Sequence, residues 1–180
     1  ARQLDDTPLQ ALEINISCPN VKEGGVTFGN DPDMSARVVE ACRGATSKPI
    51  ITKLSPNQTD IAENARKCIA AGTDGFAVIN TLMGMAIDIE SRRPRLSFGR
   101  GGLTGPAVRP IVTRLVYESA QATDIPVIAS GGASNWRDVV EFMLAGASVV
   151  QAGTINFVNP RASVEMAEGL ETYCRQSGIN

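Results

Sequence analysis

Pro126-Val127-Ile128-Ala129-Ser130-Gly131-Gly132 is the stretch that decides the fold. Its apolar start is short and rich in β-branched residues, which reads as a buried strand, and the paired glycines allow a turn with close backbone approach. One helix length later the pattern returns, with Ser148-Val149-Val150-Gln151-Ala152 running into Gly153-Thr154. Upstream, Leu12–Ser17, Pro49–Ser55 and Gly75–Asn80 are runs of the same kind. Helix-like segments separate them. Asp31 followed by Pro32 reads as a cap and first helical position before Met34–Ala45. Asp60 with Glu63 predicts a capping box for a helix that reaches Ala71 and stops at Gly72. Pro106–Thr123, Ser134–Ala145 (closed by Gly146) and Pro160–Ser177 complete the set. Strand and helix alternate five times, and the strands are mostly continuous apolar runs, so the expected fold is α/β with a parallel sheet covered by helices.

Two segments exceed plain connections. Cys18–Asn30 holds three glycines and no periodicity. Thr81–Gly105 is about twice the length at which loops become uncommon, and it is expected to form a lid or hairpin.

Composition narrows the chemistry. The 180 residues are enough for one domain with a sizeable core, and residues 1–180 are read as a single domain. A net charge of −2 gives no electrostatic case for nucleic acid or an anionic membrane, and no apolar run is long enough for a membrane span. Cys18, Cys42, Cys68 and Cys174 form no C-x-x-C pair, and without a secretory signal they are expected to be reduced thiols in a cytoplasm. The absence of any histidine removes Ser-His-Asp triads, histidine–metal sites and histidine acid–base catalysis; no metal site is expected. A general base must therefore come from Cys, Asp, Glu, Lys or Tyr.

The polar residues of the strands cluster at their C-terminal ends, where α/β barrels build their sites. Asn15 and Ser17 alternate with Ile14 and Ile16 and lead into Cys18. Gly75–Asn80 ends in Asn80 and Thr81. Gly131–Gly132 and Gly153–Thr154 close two successive strands, and glycine loops with helix N-termini behind them cradle phosphate. A lysine within a strand, Lys53, is costly to bury unless an anion meets it, either an inward carboxylate or a ligand. Cys18, between Asn15 and Asn20 in a glycine-containing loop, is a candidate base; Cys42, Cys68 and Cys174 fall in helices and read as packing.

These residues, in this order, resemble a known family. Asn15-Ile16-Ser17-Cys18-Pro19-Asn20-Val21 resembles the catalytic-loop signature of class 1 dihydroorotate dehydrogenases. Lys53-Leu54-Ser55-Pro56-Asn57, Ile79-Asn80-Thr81-Leu82, Gly84–Asp88, Gly101–Ala107, Gly131-Gly132 and Gln151-Ala152-Gly153-Thr154 are similar to that family too, with the closest wording in class 1B. The resemblance implies a (β/α)8 barrel that binds FMN and oxidises dihydroorotate to orotate in pyrimidine biosynthesis. It implies Cys18 as the base at C5 of the substrate while hydride leaves C6 for the flavin. Asn15 would contact flavin and substrate, Asn20 would orient the pyrimidine, and Asn80 and Thr81 would bind it. Lys53, Ile79 and Gly105 would line the flavin ring, with Gly131, Gly132, Gly153 and Thr154 on its phosphate. A thiol base acts as thiolate, so alkaline pH or a polarised loop is expected to be needed. Implied partners are a second copy of the chain and an iron–sulfur, FAD-containing subunit that passes electrons to NAD. A complete member has eight strands; five are counted here, so the first three are expected to be absent, with loops carrying a further lysine and asparagines.

Three other readings compete. In dihydropyrimidine dehydrogenases the catalytic cysteine falls later, at the position that is Phe28 here. A flavin-free barrel acting on a sugar phosphate would use the same glycine loops. A non-catalytic phosphate-binding barrel fragment is the third.

Overall fold

The computed structural model describes residues 1–17 and 25–179. The chain opens with α1 (Arg2–Asp5), β1 (Leu12–Asn15), α2 (Gly25–Asn30), α3 (Pro32–Arg43), β2 (Ile50–Leu54), α4 (Ile61–Ala70) and β3 (Gly75–Val78). Four short strands follow, β4 (Leu82–Gly84), β5 (Ile87–Asp88), β6 (Arg93–Pro94) and β7 (Gly101–Leu103). A 3₁₀ turn (Pro106–Val108), α5 (Arg109–Gln121), β8 (Val127–Ser130), α6 (Trp136–Leu144), β9 (Val149–Gln151), a second 3₁₀ turn (Thr154–Phe157) and α7 (Ala162–Ser177) complete it. Strands β1-β2-β3-β8-β9 form one parallel sheet in that order, as the alternation of strand and helix requires.

Register and the two-residue period of a strand assign the two faces. Leu54, Phe76, Val78, Val127 and Ala129 point to the helices and pack with Val39, Ala65, Cys68, Val112, Val116 and Phe142 into the core. The opposite face carries a row in direct register, Asn15, Lys53, Ala77, Ile128 and Val149. The sheet curls so far that outermost strands meet across this face: Gln151 Nε2 on β9 donates to Glu13 Oε2 on β1 at 2.9 Å.

The helix starts follow their caps. Asp31 accepts from the N–H groups of Asp33 and Met34, with Pro32 in the first turn. Asp60 accepts from Glu63 N at 2.9 Å, but the reciprocal half of the expected box is not formed, and Glu63 instead lies 3.9 Å from Lys67. The expected helix from Ser134 starts at Trp136, because Asn135 takes the cap position and Asp138 bonds back to it. The Cys18–Asn30 segment, expected to be irregular, contains α2 in its second half. Thr81–Gly105 is indeed a hairpin: β4 pairs antiparallel with β7 and β5 with β6.

The three described cysteines sit in helices, as packing residues should. Cys68 is wholly buried, and burial pushes its thiol up to about 12 from an ordinary 9.0. A raised folded-state value means the thiol contributes stability in full below pH 9, lost as pH rises towards 12, since only the unfolded chain releases that proton. Denaturant midpoints are therefore expected to fall across this window in the wild type and to fall less in Cys68→Ala, which starts from lower stability because of the cavity it leaves. Parallel curves for the two proteins would contradict the burial assignment.

Candidate active site

The C-terminal ends of β2, β3, β8 and β9 converge on a cleft of about 370 Å³. That lies within the ~300–1,000 Å³ range of small-molecule and cofactor sites. Lys53 enters from β2, Ile79, Asn80 and Thr81 from the end of β3, and Gly105 from the end of the hairpin segment. Gly131 and Gly132 after β8, and Gly153 and Thr154 after β9, form the far wall. Every described residue singled out from the sequence as a ligand contact therefore lines this cleft except Asn15. Cys18 and Asn20 lie outside the described residues.

Asn15 reaches the cleft through Asn80. The Asn80 amide donates to Asn15 Oδ1 at 3.1 Å, Ser17 O at 3.2 Å and Ser17 Oγ at 3.0 Å, more acceptors than its two hydrogens can serve at once. Its Oδ1 accepts from Thr81 N at 2.8 Å. Asn80 thus ties the end of β1 to the end of β3, and a ligand that bonds its amide competes with these partners. Ser17 is buried, its hydroxyl donating to Lys53 O at 3.5 Å, so the residue immediately before Cys18 is anchored at the cleft's edge. Asn57 fixes the next turn, donating to Thr81 O at 3.2 Å and accepting from Met83 N at 3.0 Å.

The glycine wall is shaped by need. Gly131 and Gly132 have φ of +132° and +87°, a conformation that side chains disfavour. A Cβ on Gly132 would stand 2.9 Å from Gly105 O and 3.1 Å from Arg109 Cα. Gly153 differs: nothing lies within 4 Å of its Cβ position, so its backbone borders open cleft. Thr104 and Thr154 hydroxyls, 3.4 Å apart, join the walls. Behind the β8 loop, buried Asp138 accepts from Ser134 N at 2.8 Å and pairs with Arg109. That pair locks the glycine loop onto the start of α5.

Sequence reasoning overlooked Glu13, Asn57, Ser130 and the Arg109–Asp138 pair. For Glu13 the signal was available, because it shares the parity of Asn15 on one strand. Its Oε1 lies 3.3 Å from Lys53 Nζ, so the inward carboxylate weighed for Lys53 exists, while Lys53 also lines the cleft.

A family model described as dihydroorotate dehydrogenase matches residues 1–173. The chain belongs to the dihydroorotate dehydrogenase family. It is 55% identical over 180 residues to a Trichlorobacter lovleyi protein named dihydroorotate dehydrogenase B (NAD(+)), catalytic subunit, which covers 99% of this chain and 59% of that protein. A Geotalea uraniireducens protein of the same name is 52% identical, with the same coverage. The chain thus spans 59% of the length of these curated relatives. Among solved structures, a ligand-free DHODH from Eimeria tenella superimposes with a TM-score of 0.79 at 25% identity, over 94% of this chain and 53% of that one. The five-stranded parallel sheet with its helices is thus part of the (β/α)8 barrel expected from the sequence, and in this family the glycine wall and Lys53 fall where barrels gather their chemistry, at the C-terminal ends of strands.

Proposed function

We propose that this chain is the larger part of the catalytic subunit of a class 1B dihydroorotate dehydrogenase, oxidising dihydroorotate to orotate with FMN in pyrimidine biosynthesis. The observation that carries this is the convergence of Lys53, Asn80, Thr81 and both glycine loops on one cleft. The residues fit FMN. Gly131, Gly132, Gly153 and Thr154 would hold its phosphate, where glycine backbones border the cleft without side chains in the way. Ile79, Gly105 and Lys53 would line the ring. Bound there, FMN would supply a hydride acceptor at ring nitrogen N5.

The chain's own residues would do the rest. Asn15, Asn20, Asn80 and Thr81 would orient the planar pyrimidine through paired amide donors and acceptors. Cys18 thiolate would take the C5 proton as the C6 hydride leaves, giving orotate. Asn57, which holds Thr81 in place, and Ser17, which anchors the loop's start, would keep that geometry. Residues 1–180 would form the C-terminal portion of a single flavin-binding barrel domain. The names of the relatives, a catalytic subunit and NAD(+), support a partner subunit that passes electrons to NAD; in this proposal that partner would carry iron–sulfur and FAD centres, and the catalytic chain would form a homodimer. A cytoplasmic setting is part of the same proposal. No described helix is long and apolar enough to cross a membrane.

The test is Gly153→Asp. Its φ is negative, at −106°, and no atom lies within 4 Å of the added Cβ position, so the variant is expected to fold. A carboxylate facing the phosphate should leave the purified protein colourless at the flavin band. A folded variant as yellow as wild type would reject the phosphate assignment.

A further inference from the structure

Among the described residues, Glu13 is the one carboxylate on the inner face of the sheet, and the reaction above does not use it. Its two oxygens have separate partners: Oε1 lies 3.3 Å from Lys53 Nζ on β2, and Oε2 accepts from Gln151 Nε2 on β9 at 2.9 Å. The Lys53 side chain is 18% exposed and that of Glu13 33%, so the lysine is the more shielded of the two and the carboxylate stays in partial contact with water. Lys53 therefore borders the cleft at one side of its ammonium and meets a fixed anion at the other. The second bond matters. Glu13 cannot swing off Lys53 without giving up Gln151, so the countercharge stays in place rather than sampling solvent.

We propose that Glu13, held by Gln151, is a positioning residue that fixes the Lys53 ammonium at the cleft and sets how much positive charge a bound flavin experiences; this rests on the FMN reading above. A lysine stem has several rotamers of similar energy, and an unpaired ammonium in a shielded site would move to the nearest electron-rich group. With Glu13 present, the cation is oriented and partly compensated. Without that charge, the ammonium acts in full on the flavin, whose reduced form is the more electron-rich and gains more from it. A tie that only braced the curled sheet would behave differently, because a neutral side chain of the same shape still reaches both strands.

The experiment is equilibrium reduction of the purified, flavin-loaded protein beside a reference dye, read by absorbance. Glu13→Gln keeps size and hydrogen bonding and removes the charge. It is expected to raise the flavin midpoint potential, favouring reduction about tenfold, which is ~30 mV for a two-electron couple. Lys53→Met should lower it. A Glu13→Gln protein with full flavin and an unchanged potential overturns the proposal. If that variant does not accumulate folded, Gln151→Met frees the carboxylate while leaving both charges; a smaller rise in potential supports the proposal, and none overturns it. A wild-type protein, complete with the remaining strands of the barrel, that takes up no flavin rejects the FMN reading, and this inference with it, which separates the two failures.

Discussion

In the complete enzyme of the proposed function, Cys18→Ala is expected to slow reduction of the bound flavin by dihydroorotate by about 10²–10⁴-fold, the range over which a positioned general base contributes. The chain has no histidine to substitute for it. Among the other cysteines, Cys68 is buried with its thiol pushed up to about 12, and Cys42 and Cys174 belong to helices α3 and α7. The segment leading to Cys18 is tied to the site: Ser17 is held by Asn80, which lines the cleft, and by the backbone of Lys53. In the proposed function orotate would be held by amide contacts rather than by the thiol, so orotate should still perturb the flavin spectrum of the variant. Rapid mixing of oxidised protein with dihydroorotate, followed at the flavin band, separates the two steps. Reduction at the wild-type rate would eliminate Cys18 as the base, and an equal loss in Cys42→Ala would move the role elsewhere.

Much of this architecture was legible in the sequence because buried parallel strands are continuous apolar runs. Their ends were not. Expected strands through Ser17 and Asn80 stop at Asn15 and Val78: past Asn15 the Asn80 side-chain amide takes up the bonding, while past Val78 single backbone bonds from Ile79 N to Ser130 O and from Asn80 N to Leu54 O continue without a regular ladder. Helix starts at Asp31 and Asp60 were readable from local capping chemistry, whereas the start near Ser134 was misplaced by the competition between neighbouring polar residues that Asn135 wins. The length of Thr81–Gly105 announced a hairpin, but strands of two or three residues carry too little periodicity to reveal their pairing. In the site, residue types at strand ends pointed to the cleft. The contacts that hold them, such as Arg109 with Asp138 and Gln151 with Glu13, join segments far apart in sequence and leave no local pattern.

Gly132→Ala is expected to destabilise the protein by roughly 2–5 kcal/mol and, in the proposed holoenzyme, to release the flavin, although it adds a single methyl group. Two costs combine. Alanine at φ of +87° loses on the order of 1–2 kcal/mol to the clash of Cβ with its own backbone. The methyl would also sit 2.9 Å from Gly105 O and 3.1 Å from Arg109 Cα, and overpacking of this kind costs about 1–3 kcal/mol. Those neighbours are backbone atoms and cannot rotate aside. Moving Gly105 would open the cleft wall, and moving Arg109 would strain its pair with buried Asp138, which holds the same loop through Ser134 N. Against a typical total of ~5–15 kcal/mol, such a loss is severe. Gly153→Ala provides the contrast, because φ is −106° there and no atom lies within 4 Å of the added carbon. It should unfold within about 0.5 kcal/mol of wild type, the usual range for a surface substitution that meets no special feature. Denaturant unfolding of both variants, with flavin content measured on the same samples, decides the matter: equal midpoints would show that the β8 loop can relax, and that close approach of Gly132 to Gly105 and Arg109 is not what builds the cradle.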